Sequence, residues 1–380
     1  GLARAGVTPA GEHFAGEIAA RITPFSPQPV LGAVIQLSAV DPSAWIDGAP
    51  QAVLDLRAEL QPKGNASAGL SGRLTVLNRS PGPVDRQRLP VASLQADLAL
   101  GENGWRLANL DAHVSGGGRL QGGGCLHADE LALRLAVTSL DASALHSSLR
   151  RTQLAGPLLA TLGLNSQRLE TELRDAQFSI HSKLAIDPDE IVFETLQLLA
   201  DDARLVARGQ VARSESGGFA VRGTLQNFDP SRFARLPAAR LNAEFAVQGR
   251  RHPQLALALS FQLQNSRFGK EALLAGNGEI DLVGQRLRRA DVELTAAGNR
   301  LSAKGAFGAA GDQLTVLVAA PRLDPLGITG ELNGRFVLSG SMQVPEVSAD
   351  LQSAHLALPG FGQLRGLTLS ARLGNGNQGE

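Results

Sequence analysis

Cys125 and His127 stand two apart, the spacing that puts two side chains on one face of a strand, and His113 lies a hairpin upstream. A thiol beside an imidazole is the beginning of a nucleophilic or metal-binding site. Completing it takes a third, oriented partner that the sequence does not supply, and a lone cysteine most often behaves as a small apolar side chain. His181 with Asp187, Asp189 and Glu190 offers nitrogen and oxygen ligands near one loop, yet Asp187-Pro188-Asp189 reads more simply as a turn. The trio Arg286, Arg288 and Arg289 has the charge to hold a phosphate, a lipid head group or nucleic acid. No aromatic residues interleave it and Asp281 and Asp291 lie near, so a solvated turn is the simpler reading. No G-x-x-x-x-G-K-[ST] loop, G-x-S-x-G elbow, H-E-x-x-H or C-x-x-C is present. The expectation is a protein without catalytic residues, metal or cofactor.

The elements that would position any site are strands. In Leu255, Leu257, Leu259, Phe261 and Leu263 large apolar residues occupy every second place, with Ala256, Ala258, Ser260 and Gln262 between them. The same alternation runs through Leu94 to Leu100, Leu131 to Val137, Leu314 to Val318 and Leu367 to Leu369. Glycine-rich pieces separate these runs and read as tight turns: 101–104, 116–118, 122–124, 276–278 and Gly298-Asn299. The chain of 380 residues has 43 glycines, no tyrosine, and 32 Arg against 4 Lys, with basic and acidic residues balanced at 36 each. That balance leaves no global field to recruit nucleic acid or an acidic partner. The single cysteine excludes an intrachain disulfide. No run reaches the ~18 apolar residues of a membrane span, the richest stretch, 30–40, being broken by Gln36 and Ser38. The opening GLARAGVTPAGEH lacks the pattern of a signal peptide, and the absence of an initial Met suggests an internal piece of a longer protein.

Helical signal is sparse and recurs. Asp41-Pro42-Ser43-Ala44-Trp45, Asp141-Ala142-Ser143-Ala144-Leu145, Asp229-Pro230-Ser231-Arg232-Phe233 and, more weakly, Asp324-Pro325-Leu326 are separated by 100, 88 and 95 residues. Asp accepts bonds from the free N–H groups of a helix start and Pro suits the first helical position, so each copy predicts one or two helical turns. The strands after them echo one another: RLPVASLQADLAL from Arg88 and RLPAARLNAEFAV from Arg235 agree at 7 of 13 places. LNAEFAVQG at 241–249 likewise parallels LNGRFVLSG at 332–340. We read repeat modules at 41–140, 141–228, 229–323 and 324–380, the last incomplete, within one continuous β-rich chain.

Strands stacked in one sheet at ~4.8 Å each would extend an aliphatic face towards roughly 80–100 Å. From alternation alone, a second sheet covering that face, as a sandwich or filled β-helix, is the simpler arrangement. The sharper one is a sheet curled into an open trough, whose Leu, Val and Ala lining suits flexible acyl chains.

From Asn227 onward the sequence resembles TamB-like proteins of the AsmA-like superfamily. The resemblance runs through NFDPSRFARLPAARLNAEFAVQG, FQLQNSRFGKEALLAGNGEIDL and VELTAAGNRLSAKGAFGAAGDQLTVLVAAPRLDPLGITGELNGRFVLSGSMQVPEVSADLQ. The Gly298-Asn299-Arg300-Leu301 turn and the step from Ala320 to Asp324 carry most of it, while residues 1 to 80 match only in general character. The resemblance implies an elongated, curved antiparallel or mixed sheet, taco-like in section, with an apolar groove and short helices at the module starts. It also implies a periplasmic body anchored in the inner membrane through a segment absent from this chain, and a TamA-like outer-membrane β-barrel partner engaged by regions outside it. The implied role is phospholipid movement between the two membranes, with a scaffold for outer-membrane protein assembly by strand addition as the alternative. The expected groove lining is Leu255, Leu257, Leu259, Phe261, Leu294, Leu301, Leu314, Val316, Val318, Phe336 and Leu338. Which strand parity faces the groove is open at this level, because one bulge reverses it downstream.

Overall fold

Period-two alternation over most of the chain leaves the backbone one way to satisfy its hydrogen bonds, which is strand against strand. The computed structural model is accordingly 73% strand and 4% helix, an all-β protein. It describes residues 2–6, 15–23, 25, 30–44, 49–63, 69–101, 104–232, 238–268, 272–324, 329–358 and 362–374. Two compact units divide it, one over Gly1–Asp187 and one over Pro188–Arg232 with Leu236–Glu380.

The first unit contains β1 (Leu2–Gly6), β2 (Ala15–Ile22), β3 (Val30–Val40), β4 (Leu54–Pro62), β5 (Leu70–Asn78) and β6 (Val91–Gly101). It continues with β7 (Gly104–Val114), β8 (Arg119–His127), β9 (Glu130–Leu140), β10 (Leu154–Leu162), β11 (Gln167–Arg174) and β12 (Ser179–Ile186). The second unit begins with β13 (Glu190–Ala200), β14 (Ala203–Ala212), β15 (Phe219–Phe228), β16 (Ala239–Arg250), β17 (Ala256–Phe268) and β18 (Ala272–Val283). Then come β19 (Arg286–Ala296), β20 (Asn299–Phe307), β21 (Gln313–Ala320), the two-residue β22 (Thr329–Gly330), β23 (Leu332–Gly340), β24 (Pro345–Leu358) and β25 (Gly362–Leu373). Within each unit the strands pair antiparallel with their sequence neighbours, except that β21 pairs β23 and β22 pairs β24. No pairing between described strands closes either sheet into a barrel. The covering second sheet that alternation alone favours is not formed, since all described strands of a unit belong to one sheet.

Two of the glycine runs read as turns are strand interiors. Gly122 to Gly124 lie within β8, Gly122 and Gly124 paired on both sides and Gly123 with Arg134 of β9, and Gly276 and Gly278 lie within β18. Glycine serves there because a neighbouring chain comes too close for a side chain. A Cβ on Gly124 would stand 2.1 Å from the Ala132 carbonyl oxygen, and one on Gly278 would stand 2.7 Å from Phe261 Cε1.

Three of the Asp-initiated segments form short helical turns, over Pro42–Ala44, Ala142–Leu145 and Pro230–Arg232. The Asp141 carboxylate accepts from the Ser143 N–H at 2.9 Å and its hydroxyl at 2.8 Å, and from the Thr152 N–H at 3.3 Å, tying the turn to the chain that enters β10. Asp41 does the same with Ser43 and Ala52, and Asp229 with Ser231 and Ala239. Burial pushes the Asp41 and Asp229 carboxyls up, but these donated bonds outweigh it and hold both below the usual carboxylate value. Residues 45, 233, 325 and 326 of the predicted segments lie outside the described residues. Ala142 and Leu145 pack against Val114, Val137, Leu140 and Leu154, so the turn caps one end of the first unit's apolar face.

Candidate functional site: an apolar sheet face

Residues directly opposite each other on paired strands point to the same side of the sheet, so the register traces each face strand by strand. In the second unit one such row runs Ala207, Gly223, Phe245, Phe261, Gly278, Val292, Ala303, Val316, Phe336, Ala349 and Ala371, from β14 to β25. Two places along each strand lies a second row, from Leu205 and Leu225 through Leu263, Leu294, Leu301 and Val318 to Leu351 and Leu369. On the other side a third passes Val221, Val247, Leu259, Ile280, Leu314 and Leu338 to Leu373. Every position in the three rows is Gly, Ala, Val, Leu, Ile or Phe.

This register brings ten of the eleven residues expected to line a groove onto a single face. Leu259, Phe261, Leu294, Leu301, Leu314, Val316, Val318, Phe336 and Leu338 occupy the three rows, and Leu257 continues them one step outward, between Gly249 and Leu282. Leu255 lies in the turn before β17 and is exposed. Sequence reasoning missed Leu205, Val221, Phe245, Val292 and Leu351 as members of the same face. Their own alternation was visible, but only the register shows that they share a side with the others.

The face is half covered. Val221, Gly223 and Leu225 are half-buried while Arg222, Thr224 and Gln226 between them are exposed, and β16 repeats the pattern. Exposure among the ten lining residues that share the face runs from 9% at Leu314 to 37% at Leu301, and Leu255 outside it is 45% exposed. Full burial in this unit is local, as where Ala290, Phe307 and Leu314 cluster or Ala320, Leu323 and Leu356 do. The first unit carries a corresponding face, with Ala96, Leu110, Ala112 and Leu135 buried at its middle. Along the ladder from β10 to β12 its central row turns polar, at Thr171 and Ser182.

Large side chains on the second unit's face lie down rather than stand. The tip of the Phe245 ring reaches across its strand to Gly223, 2.9 Å from where a Cβ there would be, and Phe261 reaches Gly278 in the same way. Leu294 covers Gly276 and Leu351 covers Gly334. The glycines therefore keep the face low.

The opposite face is polar, and its charges pair mainly across strands. In the first unit Arg119 grips Asp111 with two bonds of 2.6 Å, and Arg73 meets Asp97 at 3.3 Å. In the second, Lys304 meets Asp291 at 3.2 Å. The Arg119 hydrogen bonds hold Asp111 below the usual carboxylate value, and Asn109 and Arg73 do so for Asp97. Two of the three arginines at 286–289 belong to this pattern: Arg286 forks onto Asp312 at 2.9 and 2.8 Å, and Arg289 pairs Glu279 at 3.1 Å. Cys125 is exposed, and its partner on β7 is Arg106, seven residues and about 23 Å of strand from His113. Among the described residues no group of three His, Cys, Asp or Glu is placed to hold a metal, and no helix is long and apolar enough to cross a membrane. Compared with protein-family models and with curated proteins, the chain matches none.

Proposed function

We propose that this protein conducts phospholipid acyl chains along its apolar sheet face, as the middle body of a TamB-like bridge between the inner and outer membranes of a diderm bacterium. The observation that carries the reading is the three unbroken apolar rows of the second unit, half covered and without a second sheet over them. An acyl chain in water costs about 0.8 kcal/mol per CH₂, and an aliphatic face removes part of that cost at every step. Movement needs weak, repeated contacts rather than one tight pocket. Rows of Leu, Val and Ala with Phe rings laid flat supply such contacts, and a face with no second sheet over it leaves head groups free to project into water. No catalytic residue enters the reading. The periplasmic site, the inner-membrane anchor and the TamA-like partner belong to the same proposal through the sequence resemblance.

The test is native mass spectrometry with lipid extraction on gently purified protein, wild type against Leu257→Arg and Val316→Asp. The expected result is co-purifying phospholipid that both charged variants lose while keeping the wild-type circular dichroism. Protein that is free of lipid and refuses a fluorescent phospholipid, or variants that carry the full load, would overturn it.

A further inference from the structure

On the polar face of the second unit one pair of like charges stands directly opposed across strands with neither member neutralised. Arg208 on β14 and Arg222 on β15 are direct register partners, both exposed, and neither makes an ion pair or side-chain hydrogen bond among the described residues. Like charges directly opposite each other repel. Elsewhere in the unit a carboxylate or a cation relieves such a conflict on at least one partner: Arg289 and Lys304 neutralise Glu279 and Asp291, which stand opposite each other, at 3.1 and 3.2 Å, and Asp202 holds Arg240, opposite Arg267, at 2.6 Å. The two arginines also border a cavity of about 750 Å³. Its floor is low because the positions that continue their row are Ala246 and Ser260, and Thr224 and Asn277 place further polar groups at its edge.

We propose that Arg208 and Arg222 form a binding site for a compact phosphate group. A guanidinium presents its N–H donors as a planar fork, and two adjacent forks suit the several oxygens of one tetrahedral oxyanion. Glu194, Glu244 and Glu279 ring the same cavity and limit the ligand's size, since an extended polyanion such as nucleic acid would run over them. The site is separate from the apolar face: strand parity puts both arginines on the opposite side from Gly223, Phe245 and Phe261. A lipid lying on that face cannot present its head group here, so the phosphate comes from solution or from a molecule approaching the polar side. This inference stands whether or not the apolar face carries lipid.

Inorganic phosphate is titrated into the full chain at constant ionic strength, followed by calorimetry. Saturable binding is expected, with Kd on the order of 1 mM. Arg208→Gln and Arg222→Gln should each weaken it by about tenfold, and Glu244→Gln should tighten it severalfold by removing a nearby negative charge. Lys304→Gln, at a charge already paired elsewhere, should leave it unchanged. All four positions are exposed, so the variants should keep the wild-type circular dichroism. Affinity unaltered in both arginine variants would overturn the site. So would binding only of phosphate esters bearing acyl chains, which would place recognition on the apolar face.

Discussion

Replacing Gly278 with alanine tests whether the large side chains of the apolar face are laid flat by the glycines beside them. Gly278 has an ordinary strand backbone, outside the left-handed region, so alanine meets no conformational penalty there. The added Cβ would stand 2.7 and 2.8 Å from Cε1 and Cζ of Phe261 and 2.9 Å from Cγ2 of Val292, with no backbone atom among its three nearest neighbours. The ring must lift. Overpacking of this kind costs about 1–3 kcal/mol. The lost freedom of glycine in the unfolded chain returns about 0.4–1 kcal/mol, leaving a net loss of about 0.5–2 kcal/mol. Urea unfolding followed by circular dichroism measures it, in a cycle of Gly278→Ala, Phe261→Ala and the double variant. With the ring gone only Val292 Cγ2 still crowds the new methyl group, so the cost of Gly278→Ala should fall in the Phe261→Ala background, a coupling of about 0.5–3 kcal/mol. Gly101→Ala, where a Cβ meets nothing within 4 Å, is the near-neutral control. An equal cost with and without the Phe261 ring would put the penalty in the backbone and refute the account of a face kept low by glycine.

Charge placed on the face should divide by depth. Val316→Asp, at a half-buried position, should fold with a loss of about 1–3 kcal/mol, whereas Leu314→Asp, at 9% exposure, should lose more than about 3 kcal/mol in the same unfolding experiment. Asp141→Ala removes the acceptor shared by Ser143 and Thr152 and should cost about 0.5–2 kcal/mol, read as a lower urea midpoint with unchanged slope. Acid should destabilise the protein through its paired carboxylates. Asp111 and Asp312 are held below their ordinary values, by Arg119 and Arg286 hydrogen bonds, so their contribution is complete above the unfolded value near about 3.9 and is lost as pH falls through the folded values. Melting temperature against pH should be flat from neutrality to about 5 and fall below about 4, less steeply in Asp111→Asn and Asp312→Asn.

The strands were legible because alternation is a local property: Leu94 to Leu100, Leu131 to Val137 and Leu314 to Val318 all lie in strands. The helical turns at 42, 142 and 230 were legible for the same reason, since an Asp cap acts within two residues. Glycine was ambiguous. At 116–118 it does make a turn, but at 122–124 and 276–278 its meaning is a close neighbour, and that neighbour is contributed by another strand. Facing direction was not legible either. Register shifts such as those between Leu263 and Ser266, or Leu287 and Ala290, change which residues share a side, and nothing within the strand announces them. The Arg208–Arg222 conflict was invisible for a related reason: the two are 14 apart in sequence and become neighbours only through the β14–β15 hairpin.

A half-covered apolar face is costly to leave in water, and that cost gives the lipid reading a thermodynamic consequence. Apart from the buried Leu314, the Leu and Val side chains of the three rows keep part of their surface wet in the bare protein, forgoing part of the ~1.5–3 kcal/mol that full burial of such a side chain brings. An acyl chain seated on the rows covers that surface in the folded state and finds no comparable surface in the unfolded one. Binding therefore stabilises by mass action, about 2.7 kcal/mol at a hundredfold excess over Kd. Protein stripped of lipid by detergent exchange should melt several degrees below the protein as first isolated, and adding phospholipid back should restore the difference. The same addition should do little for Val316→Asp, whose charge interrupts the central row. Equal melting temperatures before and after stripping, with lipid loss verified by extraction, would mean that the face closes on itself well enough to need no guest.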